Sequence, residues 1–356
     1  MMELGQLTNK WLENFEQPLI IAGPCSAESE SQMLETAERI KNSSGTKIPI
    51  FRAGIWKPRT KPNGFEGVGA IGLNWLKKVK EDYGFITATE VANAHHVQAA
   101  LEADVDILWI GARSTVNPFT VQEIAEALKD TEKIIMVKNP VNPDLPLWIG
   151  ALERLVGQGI YNLGVIHRGF STYQKSKYRN NPNWQIALDF KHQYPNVPIF
   201  IDPSHITGRR DLLQEVAQEG MNLGYNGIMI ETHCNPDNAW SDAAQQVTPE
   251  VLETILSSLR LRRSDASHIM GLDRYRTLIS DLDFQLIELL AQRMKICEKI
   301  GKLKKENNIA IFQPDRWQEI HNYALVKAKE TGMSPEFIEK VFKAIHEESI
   351  EVQNKM

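Results

Sequence analysis

Short apolar runs of strand length recur eight times between residues 19 and 233, and each is separated from the next by enough residues for a helix. The runs are rich in Ile and Val, as is typical of parallel strands that are buried on both faces. Eight alternating strand–helix units predict an α/β fold, a (β/α)8 TIM barrel of about 250 residues. The runs are LIIAGPC (19–25), IPIFRAG (48–54), FITATEV (85–91), ILWIGAR (107–113), KIIMVKN (133–139), NLGVIHR (162–168), VPIFIDP (197–203) and GIMIETH (227–233).

Nearly every apolar run ends on a residue that can bind an anion, bind a metal or transfer a proton. In a (β/α)8 barrel the carboxyl ends of all the strands meet at one face, and the active site lies there. The sequence therefore predicts a barrel mouth suited to a phosphorylated anionic substrate beside a metal ion. The residues at the strand ends are Cys25, Arg52, Glu90, Arg113, Lys138, Arg168, Asp202 and Glu231.

A different pattern begins after a last barrel helix at about 249–259. From Leu272 to Leu303 the apolar residues recur at spacings of three and four, which indicates one amphipathic helix. At 1.5 Å per residue this helix would be about 50 Å long, and the two shorter helices that follow, at 315–331 and 335–354, cannot bury it alone. We therefore expect it to cross a copy of itself in a homodimer. The predicted domains are a barrel at 1–258, a linker at 259–271 and an all-α helical domain at 272–356.

Composition and charge exclude several other classes of protein. The chain has 356 residues, of which 42% are hydrophobic and 24% charged, and its net charge of −5 argues against nucleic acid or an anionic membrane as a partner. Three cysteines are too few for a disulfide scaffold. The N-terminus lacks the pattern of a signal peptide, and no apolar run is long enough to span a membrane. We expect a cytoplasmic protein.

Four residues near the strand ends are of types that bind metals. Cys25 follows a Gly-Pro turn, His205 lies in DPSH after the seventh strand, Glu231 is near the end of the eighth, and Asp242 is in the loop AWSDA. One thiol, one imidazole and two carboxylates suit a divalent transition metal. We favour Mn2+, with Fe2+, Co2+ or Zn2+ as alternatives. The other interpretations are a salt bridge with a neighbouring arginine for either carboxylate, and simple burial for the thiol.

Single cations also lie at the strand ends rather than in solvated runs of charge. A buried cation without an anion is costly, so these residues indicate either internal salt bridges or bound phosphate and carboxylate, and we favour the bound anions. The planar fork of arginine suits bidentate contact with phosphate. The cations are Arg52, Lys57, Arg59, Arg113, Lys138 and Arg168.

The ordered motifs AGPCS, KPRT, IGARS, VKNP, HRGF, DPSH and IETH…SDA resemble the type I-beta 3-deoxy-D-arabino-heptulosonate 7-phosphate (DAHP) synthases, over about Pro18 to Leu259. The resemblance implies metal-dependent condensation of phosphoenolpyruvate with erythrose 4-phosphate, the first step of the shikimate pathway. It implies that the metal ligands are Cys25, His205, Glu231 and Asp242. It implies that phosphoenolpyruvate contacts Arg52, Lys57, Arg113, Lys138 and Arg168. Erythrose 4-phosphate would contact Arg59 and Thr60.

The resemblance says less about which residues transfer protons and which sugar phosphate is the substrate. Lys57 is the candidate proton donor to the new hydroxyl if burial among arginines lowers its pKa, and His167 or Glu90 is the candidate to direct the attacking water. The related octulosonate-phosphate synthases use arabinose 5-phosphate, although KPRT favours the four-carbon sugar. Type I-beta synthases often carry an N-terminal regulatory domain; because the first strand begins at about Leu19, we expect none here.

Cationic residues interrupt the apolar face of the long helix. Arg293 and Lys304 are eleven residues apart and share a face, whereas Arg276 is turned by about 100° from that face and is better placed to serve a different site. Ser349 and Gln353 are an i, i+4 pair on the last helix. From spacing alone, interface salt bridges and a site for a dianion remain alternatives.

The segments LDRYRTLISDLDFQLIELLAQRM, IGKLK, PDRW and ESIEVQ resemble the all-helical chorismate mutases over 272–356. The resemblance implies rearrangement of chorismate to prephenate, with chorismate bound by the partner subunit's Arg276 and by Arg293, Lys304, Arg316, Ser349 and Gln353. Gln313 and Trp317 stand where acidic residues are common, which keeps open the alternative of a catalytically weak tail that serves only for dimerisation and ligand sensing. We expect prephenate or chorismate bound in the tail to inhibit the barrel.

Overall fold

The structure is a computed structural model that describes residues 3–43, 45–57, 64–173, 176–262 and 272–356. The predictions for Arg59 and Thr60, and for most of the linker, fall outside these residues. The chain divides into two compact units, Met1–Ser264 and Asp265–Met356, which are described separately. Among the described helices, none has the length and apolar character needed to cross a membrane.

The first unit is built around a closed barrel of eight parallel strands in sequence order. The barrel closes where the first and last strands pair, with Leu19 opposite Gly227 and Gly23 opposite Glu231. This confirms the predicted (β/α)8 fold. The strands are β1 Leu19–Gly23, β2 Ile50–Arg52, β3 Ile86–Val91, β4 Ile107–Ile110, β5 Ile134–Lys138, β6 Leu163–His167, β7 Ile199–Ile201 and β8 Gly227–Glu231.

Helices surround the barrel and pack on the outward-facing residues of the strands, such as Phe51, Leu108 and Val165. Several of these helices begin at a side-chain cap; Asp202, for example, accepts a hydrogen bond from the backbone N–H of His205 and so begins the short helix that follows β7. The helices are α1 Glu30–Lys41, α2 Ile71–Tyr83, α3 Ala94–Glu102, α4 Ala112–Thr115, α5 Pro118–Ala127, α6 Leu145–Gly157, α7 Trp184–Gln193, α8 Pro203–Thr207, α9 Leu213–Asn222 and α10 Pro249–Ser258. Short 3-10 turns span Leu4–Gln6, Lys10–Asn14, Arg210–Leu212, Pro236–Asn238 and Ala243–Gln245.

The barrel interior follows the two-residue period of the strands. Ile50, Ala88, Met136, Ile166, Phe200 and Met229 belong to one buried cluster that also contains Trp109. Because successive side chains of a strand point to opposite faces, the residue two positions further on each strand also points inward. At the carboxyl ends these residues are Arg52, Glu90, Lys138, Arg168, Asp202 and Glu231. The alternation of side chains along the strands therefore brings these charged residues together at the carboxyl end of the barrel interior.

The opposite end of the barrel is closed by Trp11, from a 3-10 turn that the sequence analysis did not identify. Its side chain is buried, and its indole N–H donates to the backbone oxygen of Leu163 over 3.1 Å. The ring also stacks on Phe200, with 6.3 Å between the ring centroids. The N-terminal segment thus supplies part of the barrel core.

The second unit consists of three helices, α11 Leu272–Glu306, α12 Pro314–Thr331 and α13 Pro335–Asn354. Both α11 and α12 pack against α13, and a Cβ atom on Gly301 would lie only 2.9 Å from the Cα atom of Gln353, so α11 and α13 approach closely there. This confirms the predicted all-helical tail. Most apolar side chains of α11 are exposed in the single chain, among them Tyr275, Ile279, Leu282, Leu286, Leu289, Ile296 and Leu303.

Candidate functional sites in the barrel and the helical tail

The barrel mouth has an aromatic floor at Trp109. The guanidinium of Arg52 lies 4.8 Å from the centre of its ring, and Nζ of Lys138 lies 5.7 Å from it. The indole N–H of Trp109 donates to Oε2 of Glu90 over 2.9 Å. Gly111 follows the end of the strand that carries Trp109, and a Cβ atom there would clash with Oε1 of Glu90. The floor therefore positions two cations and one carboxylate at the carboxyl end of the barrel.

Asp202 links a cation and an imidazole in the mouth. Its Oδ2 lies 2.9 Å from Nζ of Lys138 and 2.7 Å from Nδ1 of His205. Burial alone would raise the pKa of Asp202, but the nearby His205 and Lys138 hold it well below its ordinary value. Burial also lowers the pKa of His205, although Asp202 opposes this. An ionised Asp202 beside a neutral His205 fixes the orientation of the imidazole.

Two arginines are buried in the mouth, and one of them, Arg52, has hydrogen-bonding capacity that the described residues do not satisfy. Nε and Nη1 of Arg52 are buried and donate to no acceptor in the described parts of the chain, although Nη1 lies 3.3 Å from Oε1 of Glu231. Arg168 is 8% exposed and donates to the backbone oxygen of its neighbour Gly169 over 3.1 Å. Burial lowers the pKa of Arg168 to about 10. Such desolvated cations favour an anionic ligand.

The four predicted metal ligands face one another in pairs. Sγ of Cys25 lies 3.3 Å from Oδ2 of Asp242, and Nε2 of His205 lies 3.6 Å from Oε1 of Glu231. Within the described ranges, no three histidine, cysteine, aspartate or glutamate side chains lie close enough to coordinate one ion together. The chemistry of the set nevertheless fits a divalent metal, because Oε1 of Glu231 is buried without a hydrogen bond from the described residues and Nε2 of His205 faces it.

Three of the four residues of this set have a cation beside them. Arg52 lies beside Glu231, as described above. Nζ of Lys57 lies 2.9 Å from Sγ of Cys25, and Nη1 of Arg179 lies 2.8 Å from Oδ1 of Asp242. Burial raises the pKa of the Cys25 thiol to about 12, and Glu231 adds to the shift. Burial would also raise the pKa of Asp242, but His205 and the hydrogen bond from Arg179 hold it below its ordinary value. Arg179 was not identified from the sequence, since it lies in a loop with no apolar pattern around it.

Lys57 contradicts one condition set by the sequence analysis. Its Nζ donates to the backbone oxygen of Cys25 over 2.8 Å. Burial by itself would lower its pKa, but the interactions with Cys25 and Glu231 outweigh burial, and the pKa lies above its ordinary value. The condition attached to Lys57 as proton donor, a lowered pKa, is therefore not met, and its role stays a prediction. A carboxylate and a thiol, rather than arginines alone, surround the ammonium group.

His167 does not face the mouth. It is the last residue of β6, and its side chain points outward from the barrel. Its ring packs against Trp184 in the helical layer, with 5.3 Å between the ring centroids. Its Nε2–H donates to the backbone oxygen of Pro182 over 2.6 Å, and Nδ1 lies 2.9 Å from the hydroxyl oxygen of Tyr225. Burial lowers the pKa of His167 to about 4. The suggestion that His167 directs water is therefore wrong, whereas Glu90 does lie in the mouth.

The remaining predicted cation of the barrel, Arg113, lies on α4 and is exposed. Gln245 and Gln246 are further residues that sequence reasoning missed. Gln245 donates to Oε2 of Glu231 over 2.7 Å, and the side-chain oxygen of Gln246 accepts from the backbone N–H of Cys25 over 2.9 Å. Both follow the loop that carries Asp242, so proximity in sequence to AWSDA was the available signal.

The helical unit contains a cavity of about 430 Å3. It gathers five of the six residues predicted for the tail, which are Arg293, Lys304, Arg316, Ser349 and Gln353. The guanidinium of Arg293 donates to the hydroxyl of Ser349, and Nζ of Lys304 donates to the backbone oxygen of Ile311 over 2.6 Å. The other lining residues are Ile296, Cys297, Ile300, Ile311, Gln313, Trp317, Ile320, His346 and Ile350.

Arg276 does not line this cavity. It is exposed, and its guanidinium lies 3.3 Å from Asp273 on the same helix. The cavity therefore brings together three cations from two helices, with polar side chains of α13 opposite them. This arrangement can bind a small dicarboxylate.

Comparisons with known proteins agree with the two units. The sequence model of the DAHP synthetase I family matches residues 13–266, and that of chorismate mutase type II matches residues 275–354. The chain is 30% identical over 241 residues to a phospho-2-dehydro-3-deoxyheptonate aldolase of Thermotoga maritima, covering 68% of each chain. It is 29% identical over 280 residues to a 2-dehydro-3-deoxyphosphooctonate aldolase of Rickettsia typhi, covering 73% of this chain and 97% of the relative.

Solved structures give the same result for the barrel. A crystal structure of the Thermotoga maritima DAHP synthase superimposes with a TM-score of 0.60 at 28% identity, over 67% of each chain. A truncated form of 3-deoxy-D-arabino-heptulosonate 7-phosphate synthase from Thermotoga maritima superimposes with a TM-score of 0.58 at 26% identity, over 67% of this chain and 84% of the other.

Proposed function

Because the chain belongs to the DAHP synthetase I family and carries a chorismate mutase type II domain, we propose that its barrel is a divalent-metal-dependent synthase and that its tail is a mutase whose ligand also inhibits the barrel. The barrel would condense phosphoenolpyruvate with erythrose 4-phosphate, and the tail would convert chorismate to prephenate. The observation that carries the barrel proposal is the pair of buried arginines, Arg52, which has unmet donors among the described residues, and Arg168.

Arg52 and Arg168 would bind the phosphate and carboxylate of phosphoenolpyruvate, with Lys138 and Arg113 as further contacts. Lys138 sits between Asp202 and the Trp109 ring, so it is held in place before the ligand binds. The two substrates bring together about four negative charges, and preorganised cations reduce the cost of that approach. Lys57 would hold its proton beside the new alkoxide, and Glu90 would orient the attacking water from the floor of the mouth.

A divalent metal would be held by Cys25, His205, Glu231 and Asp242. When bound, it would act as a Lewis acid on the aldehyde oxygen of the sugar. Asp202 keeps Nε2 of His205 directed toward Glu231, and Gln245 fixes the other oxygen of Glu231. These neighbours orient the ligand atoms before an ion arrives. We favour Mn2+, with Fe2+, Co2+ and Zn2+ as alternatives.

The barrel proposal is tested by phosphoenolpyruvate consumption after chelation and after addition of Mn2+, Fe2+, Co2+ or Zn2+. Erythrose 4-phosphate and arabinose 5-phosphate should be compared in the same assay, since a relative is named for the octulosonate reaction. We expect turnover with the four-carbon sugar that is lost on chelation and restored by metal. Arg168→Ala should raise KM for phosphoenolpyruvate. The matched control Arg154→Ala changes an arginine that contacts Gln122 on the surface. Turnover that survives complete removal of metal would refute the proposal.

In the tail, Arg293, Lys304 and Arg316 would bind the two carboxylates and the ether oxygen of chorismate, with Ser349 and Gln353 completing the pocket. Positioning and electrostatic stabilisation suffice for this rearrangement, which needs no covalent catalysis. A weak tail that only senses ligand is the second candidate, and one observation favours it: among the described residues, no carboxylate lines the cavity. Chorismate consumption by the full chain separates the two.

Prephenate inhibition of the barrel is tested with the same full chain. Arg293→Ala should abolish mutase turnover, and it should also remove inhibition of phosphoenolpyruvate consumption by prephenate, while synthase turnover without prephenate stays unchanged. Synthase activity that does not respond to prephenate in the unmodified protein would leave two independent enzymes on one chain.

A homodimer through α11 completes the proposal. Leu282 and Leu289 are each 62% exposed on the single chain, and a contiguous apolar helix face of this kind is typical of an interface. In such a dimer the partner subunit's Arg276 would reach the tail cavity of this chain, although Arg276 does not line the cavity of its own chain. Leu282→Glu should yield monomers in light scattering and lower mutase turnover, whereas Glu298→Lys on the same helix serves as a charge-change control.

A further inference from the structure

His346 lines the tail cavity and has not been assigned a role in the mutase. Its side chain carries a buried polar atom without a hydrogen bond from the described residues. Its Nε2 is buried and makes no hydrogen bond with any described residue. A buried polar nitrogen without a partner costs free energy comparable to a lost hydrogen bond. Such an atom in the wall of a cavity is satisfied when a ligand with a matching group fills the cavity.

The ring of His346 is held in a fixed plane by Trp317. The two rings stack with 4.1 Å between their centroids and 19° between their planes. Phe312 also contacts the His346 ring, with 5.9 Å between the ring centroids. His346 also precedes Ser349 by three residues and Gln353 by seven, so all three lie on one face of α13. The imidazole is therefore positioned beside two side chains already assigned to the ligand.

The surroundings decide which ligand group His346 would meet. Burial and the positive charge of Arg293 lower the pKa of His346, with Lys304 adding to the shift and Glu347 opposing it, so the ring is neutral at pH 7. Arg293, Lys304 and Arg316 supply three full positive charges for carboxylates. A neutral imidazole is a better partner for an uncharged hydroxyl, which can both donate and accept a hydrogen bond.

We propose that His346 is a further ligand-contacting residue of the tail pocket, whose Nε2 forms a hydrogen bond with the ring hydroxyl of the bound dicarboxylate while Trp317 fixes the plane of the imidazole. The inference rests on the proposed binding of chorismate in this pocket. It assigns Trp317 a positioning role through His346. It also explains how a cavity without a carboxylate among its described lining residues can recognise a hydroxyl.

The test uses the full chain and two ligands, chorismate and the synthetic dicarboxylate that lacks the ring hydroxyl. His346→Phe keeps a flat ring over Trp317 but removes the nitrogen, and His346→Gln restores a polar group. The control is His321→Phe, because His321 also contacts the Trp317 ring, at 5.7 Å and 50°, but does not line the cavity. Affinities are measured by calorimetry and kcat/KM for chorismate by absorbance, with circular dichroism to check folding.

We expect His346→Phe to lower chorismate affinity and kcat/KM by roughly tenfold, the effect of one lost hydrogen bond, and to leave affinity for the deoxy ligand within about twofold of the unmodified protein. His346→Gln should recover part of the loss, and His321→Phe should behave as the unmodified protein. Equal losses for both ligands, or no loss for either, would overturn the inference while leaving the mutase assignment intact. Failure of the unmodified chain to bind either ligand would instead overturn the proposed function of the tail.

Discussion

The position of His167 in the helical layer predicts that a change at this histidine leaves synthase turnover intact and makes the unfolding free energy less sensitive to acid. The substitution is His167→Gln. Glutamine can donate to the oxygen of Pro182 and accept from the hydroxyl of Tyr225, as the neutral imidazole does, but it cannot take up a proton. Since His167 does not reach the mouth, we expect synthase turnover at neutral pH to stay within about twofold.

The magnitude follows from the pKa of His167, which burial lowers from 6.5 to about 4. In the unfolded chain the imidazole takes up a proton near pH 6.5, whereas in the folded barrel it stays neutral until about pH 4. The unfolded state therefore binds more protons in this window, and folding free energy is lost as pH falls through it. The loss has a slope of about 1.4 kcal/mol per pH unit and reaches about 3 kcal/mol near pH 4. Above pH 6.5 the full stability is present.

The assay is urea unfolding of both proteins, followed by near-ultraviolet circular dichroism from pH 7.5 to pH 4.5. Other buried groups titrate in both proteins, so the informative quantity is the difference in unfolding free energy between variant and unmodified chain. That difference should shift in favour of the variant as pH falls below 6.5. A difference that stays constant from pH 7.5 to 4.5 would refute the buried neutral histidine, and a large loss of turnover at neutral pH would return His167 to the active site.

Three further predictions follow from the mouth and from the closed end of the barrel. Trp11→Ala should lower the unfolding free energy of the barrel by about 3–5 kcal/mol, the usual cost of emptying a buried aromatic site, measured as a lower urea midpoint with mutase turnover retained. Lys57→Met should lower synthase kcat by about 100-fold or more, as for the loss of a proton-transfer group, while chorismate turnover in the same sample is unchanged; full synthase turnover would remove Lys57 from the mechanism. Asp242→Asn should lower the Mn2+ bound per chain in equilibrium dialysis, whereas Asp237→Asn, in an exposed salt bridge with Arg210, should not.

Strand parity explains how much of the fold and of the mouth was predictable. The eight apolar runs correctly predicted eight strands, and six of the residues predicted at their carboxyl ends point into the barrel. His167 is the last residue of β6 and Arg168 follows it directly, and successive side chains of a strand point to opposite faces. Arg168 therefore points into the barrel, whereas His167 points into the helical layer. His167 looked like a site residue by composition, but parity places it among Trp184 and Tyr225. The period of two was the deciding signal, and it was present in the sequence.

Contacts made by loops could not be predicted in the same way. Trp11, Arg179 and Gln246 reach their partners across more than 60 residues of sequence, over separations of 152, 63 and 221 residues. No local period marks such residues, because an irregular segment has no repeating direction for its side chains. In the tail, spacing identified which cations share a helix face, but the His346–Trp317 stack depends on the packing of α12 against α13.

The sequence left two readings of Glu231 and Asp242 open, a metal ligand or a salt bridge with an arginine, and the structure makes these readings compatible. Arg52 lies 3.3 Å from Glu231 and Arg179 lies 2.8 Å from Asp242. Ionised carboxylates in a buried mouth require positive charge nearby whatever their role, so an adjacent arginine does not argue against ligation. What separates the readings is the bonding capacity that remains. Oε1 of Glu231 is buried without a hydrogen bond from the described residues and lies 3.6 Å from Nε2 of His205. This atom therefore keeps capacity for a further partner, and metal ligation stays a prediction that the Mn2+ dialysis tests.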